Sequence, residues 1–310
     1  MKGFLKSLLR VGPVGRAVTR ITWMLSLGTL HSRIARITNF VPATVTFRPA
    51  GGRGVFRTVK MLRGREGIDH VVRAIWITGW RSYEEPMPIL WCAFATESRC
   101  VLDVGVNSGF YAILATACGC RVVHAFEPFP VAMQRLHDNL ALNGMLGQVV
   151  CVDKAVADKP GQAKLYVPME KFAGMLECSS SLNSNFRAEH KQVIDVAVTT
   201  LDDYVAASEL SDVDLVKIDV ESQEHLVLLG MENLLRTQRP VIFVEVLESS
   251  GNEIERIRER YDYVCLQLSS GAVQISDRVV PTGNRDQVLC PREKLDGLLA
   301  CVSRAGLNCT

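Results

Sequence analysis

A chain of 310 residues, 48% apolar and with a formal net charge of +2, has enough apolar side chain for one enlarged α/β domain, or a domain with an extension. Its composition excludes a disordered or collagen-like chain. The near-neutral total conceals a division: residues 1–65 carry thirteen Lys or Arg and no Asp or Glu, a charge of +13, while the remainder carries −11. Such a split marks a basic segment with its own partner or address.

The ten cysteines include no C-x-x-C, and no Cys or His spacing fits a zinc site. Cys92, Cys151 and Cys265 stand among apolar residues, as buried thiols of a reducing compartment do. In residues 1–40, Lys2, Lys6 and Arg10 precede a Gly12-Pro13 break. Val14, Val18, Ile21 and Leu25 then recur at helical spacing. The apolar run 21–30 is too short to span a membrane. Three readings stay open for this basic amphipathic extension: an organelle transit peptide, a helix on an anionic membrane surface, or a helix packed beside the domain. No nucleic-acid partner is expected, because the basic residues are not interleaved with stacking aromatics. The location expected is the cytoplasm, with membrane association or organelle targeting still open.

Residues 41–99 read as a lead-in. Residues 43–61 predict a hairpin turning at Gly51-Gly52-Arg53-Gly54, and residues 67–80 and 88–96 predict helices broken at Tyr83-Glu84-Glu85-Pro86. From residue 100 to 310 strands alternate with helices, the pattern of a mostly parallel sheet wound on both faces. Strands are expected at 100–104, 121–126, 148–152, 163–167, 193–198, 214–220, 241–246, 263–268 and 287–290. Helices are expected at 110–118 and from Pro130 to the Asn143-Gly144 stop, and one more between 220 and 241 carries Val227, Leu228, Met231, Leu234 and Leu235 on one face.

Ligands of such sheets bind beyond the carboxyl ends of the strands. The segment Asp103-Val104-Gly105-Val106-Asn107-Ser108-Gly109 leaves the first strand of this region, and its glycines permit a tight turn and close backbone approach. It lacks the G-x-G-x-x-G spacing of a dinucleotide site, and a negative Asp103 suits a cationic ligand better than a diphosphate. S-adenosylmethionine, with its sulfonium and ammonium, has that sign. Glu127 ends the next strand, where a carboxylate can accept from both hydroxyls of a ribose. Asp153 ends the third and is placed to meet an adenine amino group. Together with Gly105, Asn107, Gly109 and Phe110, these form the expected cofactor set. Lys217, Asp219 and Glu221 alternate along the segment 217–221 and are expected on one strand face, with Glu245 at the end of the adjacent apolar run. Asp219, Glu221 and Glu245 are the expected catalytic residues, with Asp219 or Glu221 as general base and Glu245 assisting or, alternatively, with two or three of them holding a divalent cation. His70, His190 and His225 are alternative bases that read more simply as ordinary surface or core histidines.

In order along roughly residues 83–291, these segments resemble the FkbM family of methyltransferases. The matching strings are Leu102-Asp103-Val104-Gly105-Val106-Asn107-Ser108-Gly109-Phe110-Tyr111, Ala125-Phe126-Glu127-Pro128, Thr200-Leu201-Asp202-Asp203, Val216-Lys217-Ile218-Asp219-Val220-Glu221 and Val244-Glu245-Val246. The resemblance implies a class I Rossmann-like methyltransferase fold, S-adenosyl-L-methionine as cofactor and O-methyl transfer. It has Asn107 where the turn's second glycine would stand. Val106 departs from the family's usual Ala, and Ser222 from its usual Gly. No N-P-P-Y turn of amino methylation is present, which points to a hydroxyl on a small molecule, sugar or lipid. The loop 178–187, rich in serine and asparagine, is where acceptor contacts are expected. Two other classes compete: a nicotinamide-dependent oxidoreductase on the same sheet, against which the glycine spacing argues, and a non-catalytic module that kept the fold.

Overall fold

A computed structural model of the chain describes residues 42–47, 57–62, 68–168, 175–176, 179–281 and 284–309, and the pair 17–18. Apart from Ala17 and Val18, the extension 1–40 lies outside the described residues, as do the Gly51–Gly54 turn and Cys178.

In the lead-in, β1 (Ala43–Phe47) and β2 (Arg57–Met61) pair antiparallel, with Val45 opposite Val59. Then come β3 (Ile68–Asp69), α1 (His70–Thr78) and α2 (Met87–Ala95). The body continues with β4 (Cys100–Val104), α3 (Phe110–Cys118), β5 (Val122–Phe126), α4 (Pro130–Leu142) and β6 (Val149–Val152). Next are β7 (Ala155–Val156), β8 (Gly161–Pro168), β9 (Met175–Leu176), β10 (His190–Thr199) and α5 (Leu201–Ala207). β11 (Val213–Ile218), α6 (Glu224–Leu229), α7 (Glu232–Thr237), β12 (Val241–Glu245) and α8 (Gly251–Arg260) follow. The last elements are β13 (Tyr263–Ser269), β14 (Ala272–Ser276), β15 (Asp286–Pro291), α9 (Leu295–Arg304) and β16 (Asn308–Cys309).

The main sheet runs β16-β14-β13-β15-β12-β11-β4-β5-β6. The five strands from β12 to β6 are parallel, and β15 inserts antiparallel between β12 and β13. β4 is buried at all five positions, as a central strand covered on both faces must be. Its alternate residues feed two cores. Val101 joins Leu114, Leu136, Trp91 and Phe243 on one side, and Leu102 and Val104 join Leu228, Leu234 and Ile254 on the other. The hairpin and α1 and α2 share the first of these cores. Asn139 of α4 and Asn143, which caps its C-terminal end, fasten the hairpin by accepting from the Leu62 and Lys60 N–H groups at 2.7 and 2.8 Å.

Two expectations need correction. The single helix between β11 and β12 is two helices. A Cβ on Gly230 would stand 2.1 Å from the Ala157 carbonyl oxygen, and the Asp202 carboxylate accepts from the Asn233 and Leu234 N–H groups at 2.8 and 2.9 Å. The chain therefore breaks at Gly230 and restarts under an acidic cap, while all five apolar side chains of the expected stripe stay buried. Likewise β11 ends at Ile218 and does not reach Val220. The buried Glu224 carboxylate accepts from the Val220 and Ser222 N–H groups, which bends the chain into α6, and Glu221 and Ser222 take left-handed φ values of 56° and 85°. Glu221 thus stands in a turn, not on the strand face of Lys217.

Candidate active site

β4 leads to β5 on one side of the sheet and lies against β11 on the other, so the order of connection reverses there. At the carboxyl ends of these strands opens a cavity of about 440 Å³. Eight carboxylates line it: Asp69, Glu84, Asp103, Glu127, Asp219, Glu221, Glu245 and Asp286. Three permanent cations, Lys154, Lys217 and Arg285, line it with them. Asp69 is neutralised by Arg135 at 3.3 Å. The seven remaining acids outnumber the three cations, an arrangement that favours a cationic ligand.

The glycine turn forms one wall. Asp103 is 1% exposed, and neither of its oxygens makes a hydrogen bond of good geometry, the Ala112 N–H offering only a weak one; burial lifts its pKa to about 7 against the pull of Lys217 and of that N–H. Gly105 has φ 80°, and a Cβ there would stand 1.8 Å from the Asp219 carbonyl oxygen. Its close approach is therefore to the backbone after β11. Asn107 takes φ 52° and gives its N–H to Glu127 Oε2 at 2.9 Å. Glu127 Oε1 accepts from the Phe129 N–H at the same distance. Burial raises Glu127 to about 7, and these two N–H groups oppose the rise. The Ser108 hydroxyl is buried with no partner. Phe110 closes this wall, its ring edge-on to Tyr83 at 5.7 Å.

Two expected cofactor residues are placed elsewhere. Gly109 (φ 94°) is not in the lining, and a Cβ there would meet Leu136 Cδ1 at 2.5 Å, so its bareness serves the packing of α4. Asp153 is exposed and outside the lining, because β6 ends at Val152 and the next residue to reach the cavity is Lys154.

Asp219, Glu221 and Glu245 do converge on the cavity, from two successive strand ends. Lys217, 3% exposed, donates to Asp219 Oδ2 at 2.7 Å, and its ammonium stands 4.9 Å from the Tyr111 ring centroid. Burial opposes its charge, but Asp219, Asp103 and Glu84 together hold its pKa above the ordinary lysine value. Glu245 is raised to about 7 by burial and by Asp219, with Arg285 at 3.5 Å opposing. Burial, Asp219 and Glu245 push Glu221 up. No group of three or more His, Cys, Asp or Glu among the described residues is arranged to hold a metal ion. Of the three histidines weighed as bases, only His70 lines the cavity.

Several lining residues were not read as site residues from the sequence, among them Tyr83, Glu84, Tyr111 and Asp286. The Tyr111 hydroxyl donates to Glu84 Oε2 at 2.6 Å, and burial raises Glu84. Asp286 stands opposite Glu245 in the register of β12 and β15. The signal that finds it is topological: the first residue of an antiparallel strand lies at the same sheet edge as the last residue of its parallel neighbours. From the polar loop, Ser179, Ser180 and Leu182 reach the cavity. Its Ser181 hydroxyl donates to the Glu221 carbonyl at 2.6 Å, and Asn183 donates to the Ser222 hydroxyl at 3.0 Å. These bonds brace the left-handed turn at Glu221 and Ser222.

The chain is 31% identical over 157 residues to the 31-O-demethyl-FK506 methyltransferase FkbM of Streptomyces tacrolimicus, a match covering 43% of this chain and 59% of that protein. The chain thus spans under two thirds of that relative. A methyltransferase FkbM structure from Methylobacillus flagellatus is similar at TM-score 0.41 and 14% identity, over 62% of this chain and 44% of that one. An O-methyltransferase from Bacillus cereus in complex with SAH gives 0.36 and 13%, over 66% and 80%. At such scores the fold rests on the strand order itself, which is that of an α/β, mostly parallel class I methyltransferase sheet. Residues 103–265, just over half of the chain, match the methyltransferase FkbM domain, and the chain belongs to that family.

Proposed function

We propose that this chain transfers a methyl group from S-adenosyl-L-methionine to a hydroxyl of a small molecule, sugar or lipid. The observation that carries the reading is Asp103: a buried carboxylate whose oxygens lack a hydrogen bond of good geometry, on the wall of a cavity where acids outnumber cations at the sheet's switch point. Burying such a group is costly unless a ligand completes it. A sulfonium and an ammonium are suited to do so. Glu127, whose two oxygens are aimed by the Asn107 and Phe129 N–H groups, keeps acceptor capacity for ribose hydroxyls. The donor supplies an activated methyl when bound, so the protein's task is to align an acceptor oxygen and take its proton.

Among the three acids, Asp219 already accepts from Lys217 and is better suited to orient charge than to receive a proton. Glu245 has one buried oxygen without a partner and, with a pKa of about 7, is poised as the general base, with Glu221 beside it. The serines and asparagine at the cavity mouth (Ser179, Ser180, Asn284) supply hydrogen bonds for a polyhydroxylated or otherwise polar acceptor. In this reading residues 100–310 bind the cofactor and residues 41–99 complete the cavity, while the +13 charge of residues 1–65 suits the extension 1–40 to an anionic surface such as a membrane's, beside the transit-peptide and packed-helix readings. No helix among the described residues is long and apolar enough to cross a membrane.

Thermal unfolding tests the cofactor directly. S-adenosylmethionine and its demethylated product should raise Tm, and NAD should not. A rise with NAD alone would overturn the assignment. Incubating the protein with methyl-labelled donor and fractionated cell extract should then move label into a hydroxyl-bearing fraction.

A further inference from the structure

We propose that the cavity trades the positive charge of the methyl donor for a proton: the donor binds with loss of a proton that the uncharged product leaves in place. The inference rests on the cofactor assignment above and deepens it.

Its basis is the charge arrangement. Asp103 and Lys217 are register partners on β4 and β11, and Lys217 is the only buried cation among the described lining residues. That single ammonium faces Asp219 after its own strand, Asp103 on β4 and Glu84 from the turn before α2. Glu221, Glu245 and Asp286 crowd the other side, where Arg285 and Arg187 answer from β15's approach and the polar loop. Glu127 closes the β5 end, Glu224 lies behind the turn on α6, and Tyr83, Tyr111, Lys154 and His70 complete the surroundings. So many carboxylates cannot all stay ionised around one buried ammonium; close like charges force some to hold protons. Burial accordingly holds Asp103, Glu127 and Glu245 near 7.

A sulfonium entering this cavity does the work of one of those protons and expels it. The reaction then conserves the charge. The acceptor oxygen forms its bond to the methyl carbon, the S–C bond breaks with its electron pair passing to sulfur, and the oxygen's proton passes to a carboxylate. The cavity loses a sulfonium and gains a proton, so its net charge after transfer equals that before. The proton acceptor is thus the site vacated when the donor bound, so that below about pH 7 donor binding itself supplies the base in its unprotonated form.

Isothermal titration at about pH 6.5, where the amino groups of donor and product are charged, tests this. S-adenosylmethionine, S-adenosylhomocysteine and sinefungin are each titrated in two buffers of different ionisation heat, which yields the protons released. The first two ligands share adenosine, ribose and the amino-acid end, and differ in the sulfonium methyl. S-adenosylmethionine and sinefungin, whose side-chain amine carries the corresponding charge, should each release about one proton more than S-adenosylhomocysteine. Affinity for the donor should also gain on that for the product by up to about tenfold per pH unit between about pH 5.5 and pH 7. Equal proton counts for charged and uncharged ligands would overturn the exchange while leaving the cofactor reading intact. Absence of binding by all three would overturn both.

Discussion

Lys217 and Asp219, two residues apart at the end of β11, form a 2.7 Å ion pair whose ammonium is almost fully enclosed and whose carboxylate opens to the cavity. The pair is embedded among further acids, so its cation matters more than its anion. Lys217→Met keeps much of the side chain's length but leaves Asp219, Asp103 and Glu84 without a buried counter-charge. Breaking a buried pair from one side costs about 3 kcal/mol or more. Urea unfolding at neutral pH should show that loss. It should shrink on acidification, as the orphaned carboxylates take up protons.

Stability of the unliganded protein should fall as pH rises. Asp103, Glu127 and Glu245 stand near 7 in the folded chain and Glu224 near 8, all above their unfolded values. The folded state therefore binds more protons than the unfolded state between about pH 4 and these values, and alkali withdraws that advantage. A tenfold difference in proton affinity between the two states corresponds to about 1.4 kcal/mol. The unfolding free energy at about pH 5.5 should exceed that at about pH 8 by at least this much. A flat profile, or one rising with pH, would show that these groups are not held protonated.

At Gly105 the prediction is steric. Gly105→Ala puts a methyl group into the Asp219 carbonyl and keeps a left-handed φ. Overpacking and backbone strain together should cost about 2–4 kcal/mol. Because the clash lies between β4 and β11, affinity for S-adenosylhomocysteine should fall with stability. Calorimetry and thermal unfolding on the same sample read both.

Glu245→Gln and Asp219→Asn should separate the two acids. Removing the base should lower turnover by about 100-fold or more, with donor affinity changed far less. Asp219→Asn unpairs Lys217 and should weaken both turnover and folding. If Glu245→Gln keeps normal turnover, Glu221 becomes the candidate, and Glu221→Gln should carry the loss.

The layout of the sheet was legible because hydrophobic runs and turn residues act locally. Strands at 100–104 and 241–245 follow from apolar runs, and the α4 boundaries from Pro130 and the Asn143-Gly144 stop. The break at Gly230 was not legible, since the carbonyl that forbids a side chain there belongs to Ala157 and the new cap to Asp202. α8 hides its apolar face in the short pair Ile254 and Ile257 amid charged residues, so no long stripe announced it. In the site, Asp103 and Glu127 were readable as cavity-lining residues from strand ends, and Asn107 from the glycine turn. Glu84 and Asp286 were not, because only the tertiary fold brings a turn near residue 84 and an antiparallel strand near residue 286 to the same edge. The i, i+2 rule linked Lys217 to Asp219 but failed at Glu221, where Glu224 captures the backbone and ends the alternation.

The Tyr111 to Glu84 hydrogen bond reaches outward from the matched segment 103–265 to the chain before it. Asp103, Glu127, Asp219 and Glu245 all lie within that segment, whereas Tyr83, Glu84, Asn284, Arg285 and Asp286 flank it on both sides. Much of the cavity's margin is thus encoded outside the segment that carries its floor, Ser179 and Ser180 being the part that lies within it. A relative could preserve the floor, alter both margins and meet a different acceptor without disturbing its hold on the donor. Grafting the margins of one such protein onto the middle of another should accordingly move acceptor choice with the margins.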